Sequence, residues 1–132
     1  YPNHQLAVVM YGGDFIRDQP ETAKKFMRAY IRGVRYYNDA LKDGRLAGPN
    51  AADVIAILTE STSIKDPEIF KTITPNGVNP NGEANLVSLR KDLAFYKAQG
   101  LVTGKVTIEQ AVDNSFVDAA IKELGPYTPR IK

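Results

Sequence analysis

The sequence predicts a mostly α-helical chain with one N-terminal strand and five or six helices. Three observations carry this. Apolar residues recur at spacings of three and four over residues 19–43 and 85–99. Helix-opening residues precede each such run, and glycine or proline follows most of them. One short apolar run, Leu6 to Tyr11, has no helical period and is bounded by Asn3 and Gly12-Gly13.

The elements follow in order. LAVVMY over 6–11 reads as a strand, and its unbroken apolar character suits a strand covered on both faces. Asp18-Gln-Pro-Glu21 opens the long helix over 19–43. Asp18 is placed to accept a first-turn N–H, Glu21 lies three positions on, and Pro20 is tolerated in the first turn. Ala23, Phe26, Met27, Tyr30, Ile31, Val34, Tyr37 and Leu41 share one face, and Gly44 is expected to end the helix in the left-handed conformation.

Asn50 to Asp53 opens a helix over 50–61 with Val54, Ile55, Ile57 and Leu58 as its apolar content. Asp66-Pro67-Glu68 opens another over 66–73 that takes Ile69, Phe70 and Ile73 inward and stops before Pro75. Residues 75–82, PNGVNPNG, form an irregular loop. The helix over 85–99 is expected to bury Leu86, Leu89, Leu93 and Tyr96. It ends at Gly100, with Leu101 folding back on the last turn. Thr107-Ile-Glu-Gln110 is a capping box opening the last helical stretch, 107–124. That stretch bends near Asp113-Asn114, turns Phe116, Ala119, Ala120 and Leu124 inward, and stops at Gly125-Pro126. The tail from Tyr127 to Lys132 has no pattern.

Composition narrows the function. The 132 residues make one ordinary domain, able to bury roughly two thirds of the unfolded surface. Seventeen basic against fifteen acidic residues leave a net charge of +2, too balanced for a dedicated nucleic-acid binder. Cysteine is absent, so no disulfide scaffold or thiolate zinc site is expected. His4 is the single histidine, and no residue set resembles a catalytic constellation or a metal cluster. The chain opens on Tyr1 rather than Met and is read as a piece of a larger protein. A lone strand points the same way, because its backbone groups need partners. Those partners lie either upstream or in a second copy.

Five residues are candidate ligand contacts: His4, Gln5, Tyr11, Gly12 and Gly13. His4 is a contact at a hinge or an ordinary loop histidine. Tyr11-Gly12-Gly13 lies at the carboxyl end of the strand, the edge at which open α/β sheets bind ligands, and the glycines equally suit a tight turn into the helix. Gly-Gly lacks the third glycine of a dinucleotide fingerprint. Lys24, Lys25, Arg28, Arg32 and Arg35 read as the solvated side of the long helix rather than a docking stripe.

Two stretches resemble one family. Phe15-Ile16, Gln19-Pro20-Glu21 and Arg28-Ala29-Tyr30 are similar to the return strand and long helix of solute-binding proteins of ABC transporters, in the nitrate, sulfonate, taurine and thiamine-precursor group. Tyr96 to Leu101 and Val112 to Asp118 resemble that family's closing section. The resemblance covers nearly the whole chain. It implies the C-terminal portion of a type II periplasmic-binding fold, with two α/β lobes and the ligand in the cleft between them. It places His4, Gln5 and Tyr11 to Gly13 near the crossover and the cleft edge. It further implies a non-enzymatic receptor in the periplasm or otherwise outside the cytoplasm, a small solute as ligand, a membrane permease as partner, and no cofactor. Two other readings stay open. One is a pyrimidine-forming thiamine-biosynthesis enzyme on the same fold, which pyridoxal phosphate would betray. The other is a standalone helical interaction module that pairs its strand with a second copy. Even on the binding-protein reading, the open strand is expected to make this chain self-associate.

Overall fold

The computed structural model describes residues 3–130. Among the described residues seven helices and one two-stranded hairpin form, so the chain is mostly α-helical. The helices are α1 (Gly13–Asp18), α2 (Pro20–Asp39), α3 (Ala51–Ser61), α4 (Pro67–Thr72), α5 (Leu86–Ala98), α6 (Ile108–Ala111) and α7 (Ser115–Leu124). The hairpin pairs β1 (Leu41–Lys42) with β2 (Arg45–Leu46), antiparallel.

α2 is the spine. Ala23, Met27, Ile31 and Val34 are buried along it at helical spacing. Its first half packs on α7, where Met27 and Ile31 meet Val117 and Ala120. Arg28 pairs with Glu123 across the same contact. Its last turn leads into a second cluster of Ala40, Leu46, Ala51, Val54, Ile55 and Phe70, which joins the hairpin to α3 and α4. Asp66 caps α4 by accepting the Glu68 N–H at 2.9 Å. The Thr107 N–H donates to Gln110 Oε1 at 3.1 Å at the start of α6.

Several expectations are corrected. The segment over 6–11 belongs to no sheet. No described residue offers it a ladder, and Leu6 and Met10 are 70% and 88% exposed. The long helix begins at Pro20 with Gln19 in the cap position rather than at residue 19 with Asp18 as cap, because Asp18 closes α1. It also ends at Asp39, short of residue 43. Gly44 does not end it. Asp43 and Gly44 have φ of 52° and 73°, the paired positive values of a two-residue hairpin turn, so residues 41–46 fold back as β1 and β2.

On α5 the expected apolar face is only half-covered. Leu86, Leu89 and Leu93 are partly exposed, Tyr96 is exposed, and Ser88 is the buried residue. The Leu101 N–H does bond back to Tyr96 O at 2.9 Å, but its side chain stands in solvent. Phe26, Ile57, Ile69 and Ile73 are likewise exposed, while Ala119 is part-buried. The physical reason is common to all: one layer of helices on α2 has too little opposing surface to cover both sides of each element. The tail read as patternless forms no helix or strand among the described residues, and its Arg130 N–H bonds to Asp39 at the end of α2. Its last two residues fall outside the described residues.

Candidate functional site

The five candidate residues fall into two groups. His4 and Gln5 meet the first turns of α5. His4 Nε2 lies 3.2 Å from Asp92 Oδ2. The Gln5 N–H donates to Ser88 Oγ at 2.9 Å, and Gln5 Oε1 accepts the Asn85 N–H at 2.8 Å. Asn85 Nδ2 donates to Asn3 O at 2.7 Å, and Asn85 Oδ1 accepts the Ser88 N–H at 3.2 Å. Gln5 therefore ties the segment to the start of α5 by accepting the orphan Asn85 N–H and donating to the Ser88 hydroxyl. Both ends of its side-chain amide are used, since Nε2 also donates to Ala7 O at 2.6 Å.

Tyr11, Gly12 and Gly13 lie at the other end of the extended segment, on the order of 20 Å of chain away. Tyr11 is a hub. Its ring meets Phe15, Phe26 and Phe116 edge-on at centroid distances of 5.4, 5.9 and 5.4 Å. Its hydroxyl donates to Ala23 O at 2.9 Å. Burial pushes its pKa up. Its one donor is thus committed to the fold.

Gly12 takes an ordinary extended conformation, φ −68° and ψ 141°, and Gly13 begins α1. Neither has the positive φ that would demand glycine, and a Cβ at either would meet nothing within 4 Å. The tight-turn reading is therefore not what these glycines serve. Their backbone stays uncovered.

A polar hub elsewhere was not visible in the charge pattern. Arg35, read as one residue of a solvated stripe, is part-buried. Its Nε donates to Pro80 O at 3.2 Å, and its Nη2 donates to Gly125 O at 2.8 Å and Asn81 Oδ1 at 3.4 Å. One guanidinium thus joins α2, the 75–85 loop and the end of α7. Nearby, Asn38 Nδ2 donates to Val78 O at 2.9 Å, and Tyr37 Oη donates to Asn76 O at 2.9 Å. A signal existed: Arg35 lies four residues after buried Ile31 and next to buried Val34, at the edge of the apolar face.

Asp39 completes this region. Its side chain is 9% exposed and accepts from Tyr127 Oη at 2.8 Å and the Arg130 N–H at 3.1 Å. Burial, then the hydrogen bond to Asp39, pushes the Tyr127 pKa up to about 12.

Among the described residues, no group of three or more His, Asp or Glu side chains is placed to hold a metal ion. No described helix is long and apolar enough to cross a membrane. No protein-family model, curated protein or solved structure matches the chain.

Proposed function

We propose that the chain is part of the substrate-binding component of an ABC importer. In this reading the protein captures a small nitrate-, sulfonate-, taurine- or thiamine-precursor-like solute between two lobes outside the cytoplasm and delivers it to a membrane permease. The supporting observation is the segment over 6–10. It is uncharged and apolar, lies in no helix or strand, and has no ladder partner among the described residues. A strand of this composition is stable inside a sheet covered on both sides, which is the setting of an α/β lobe. The half-covered face of α5 suits the same setting, because a further layer would cover it.

The work of such a protein is closure of lobes around a solute, and it needs no covalent step. On this reading His4 and Gln5 border the crossover. Tyr11 anchors the strand to α2, and Gly12 and Gly13 leave bare backbone at the cleft edge. Solute contact at that edge then falls to backbone groups, since the Tyr11 hydroxyl is already bonded.

The test uses the complete translation product of the reading frame that encodes this chain. Its thermal unfolding is followed with nitrate, taurine and an aminopyrimidine. One of them is expected to raise the melting temperature saturably, with about 2.7 kcal/mol of stabilisation at a hundredfold excess over Kd. No response to any of the three overturns the reading. Pyridoxal phosphate bound to the purified protein would replace it with the pyrimidine-forming enzyme.

A further inference from the structure

α2 carries Arg32 and Arg35 toward the tail, where Arg130 joins them. Together with Gly33, Asp39 and Leu124 they border an open groove of about 500 Å³. Its cations outnumber its acid. Arg35 is fixed by three acceptors, all neutral oxygens, and its guanidinium carbon lies 5.9 Å from the Tyr127 ring centroid. Among the described residues no carboxylate pairs with it and nothing accepts from its Nη1. Arg32 likewise makes no ion pair among the described residues. Asp39 is the one acid in the groove. It already accepts two hydrogen bonds and lies 3.7 Å from Arg130 Nε. Three guanidinium groups against one carboxylate leave the groove positive. A concave surface of one sign raises the local concentration of counter-charge. Gly33 leaves space between the arginines, since a Cβ there would meet nothing within 4 Å.

We propose that this groove binds an oxyanion, a carboxylate or phosphate group, through Arg35, Arg32 and Arg130. Arg35 is the preorganised member, with an open Nη1 edge. Arg32 and Arg130 are the exposed members that close on the anion. On Arg32 and Arg130 a planar N–H pair can match two oxygens of a carboxylate or phosphate at once, while Arg35 offers donors from Nη1 alone. The groove shares no residue with the five candidates near the extended segment, so the inference stands apart from the transport reading.

The probes are inorganic phosphate and, in a second arm, acetate. Each is titrated at constant ionic strength into protein labelled with nitrogen-15 at arginine only. The arginine Nε–Hε resonances are expected to shift saturably with at least one anion. Arg32→Gln and Arg130→Gln should each weaken binding by about fivefold or more, and Lys105→Gln should leave it unchanged. Arg32 has no partner to lose among the described residues, so its substitution leaves the fold intact. Saturation with phosphate alone, acetate alone or both supports the site and names the class of anion. Shifts that rise linearly without saturating overturn the proposal. So does an affinity that is the same in Arg32→Gln and Arg130→Gln as in the parent.

Discussion

Tyr127 Oη donates to Asp39 Oδ1 at 2.8 Å, joining the tail to the last turn of α2 across 88 residues of sequence. The same carboxylate oxygen accepts the Arg130 N–H at 3.1 Å. Tyr127→Phe removes one of these two bonds and is expected to cost ~1 kcal/mol, at the low end for a charged acceptor because the phenol is half-exposed. Urea denaturation at pH 7 measures it. An unchanged midpoint would show that the Tyr127 hydroxyl adds nothing.

The same pair sets an alkaline limit. The Tyr127 pKa is raised from 10.0 to about 12, so between those values the folded state holds a proton that the unfolded state has released. Stability from this group is complete below pH 10 and is lost as pH rises toward 12. Tyr11 and Tyr37 are shifted in the same direction by burial and add to the fall. Tyr127→Phe should therefore make the decline of stability above pH 10 shallower. A decline as steep in the variant as in the parent would place its cause elsewhere.

Tyr11 tests how the extended segment is anchored. Tyr11→Phe keeps the three ring contacts and loses the bond to Ala23 O, for an expected ~1 kcal/mol. Tyr11→Ala removes the rings' shared partner and is expected to cost ~3 kcal/mol. If the two variants were equally stable, the aromatic cluster would carry none of the anchoring.

Gly48 tests the turn that follows the hairpin. Its N–H donates to Ala40 O at 2.8 Å. A Cβ there would overlap Asp39 O and lie 2.8 Å from Ala40 C, both main-chain atoms that cannot swing away. Gly48→Ala is expected to destabilise by about 2 kcal/mol or more, while Gly77→Ala, whose Cβ meets nothing, should be near neutral. Thermal unfolding of the two variants makes the comparison.

The bare 6–10 segment predicts association. The 6–10 segment has no charge, proline or glycine, and apart from Ala7 O, which accepts from Gln5 Nε2, its backbone is open to another strand. The chain is expected to self-associate at concentrations on the order of 100 µM, the range in which exposed edges aggregate. Val8→Lys should reduce this without lowering the melting temperature, since Val8 is 58% exposed. Light scattering that finds a strict monomer in the parent would refute the expectation.

Local signals were legible where a residue's conformation depends on its own neighbours. The spacing of Ala23, Met27, Ile31 and Val34 marks the buried stripe of α2 because a helix repeats every 3.6 residues whatever it packs on. Asn85 at the start of α5, Asp66 at α4 and the positive φ of Gly100 and Gly125 are equally local. The boundary between α1 and α2 was less legible. Asp18-Gln-Pro-Glu suits a cap one residue earlier than the one formed, and both versions leave Pro20 in a first turn.

By itself, then, the sequence determined the helical class, the main apolar stripe and the punctuation, because backbone hydrogen bonding and steric preference act over a few residues. Tertiary structure decided the rest. Asp43-Gly44 became a hairpin turn because Leu46 finds burial beside Ala40 and Val54 when the chain folds back. Arg35 became a hub because the 75–85 loop and Gly125, 45 to 90 residues away in sequence, bring carbonyls to it. Segment 6–11 stayed without a sheet because a strand's stability lies in its neighbours, and no described residue supplies one. The groove of Arg32, Arg35 and Arg130 exists only because the buried Asp39 draws the tail back onto α2.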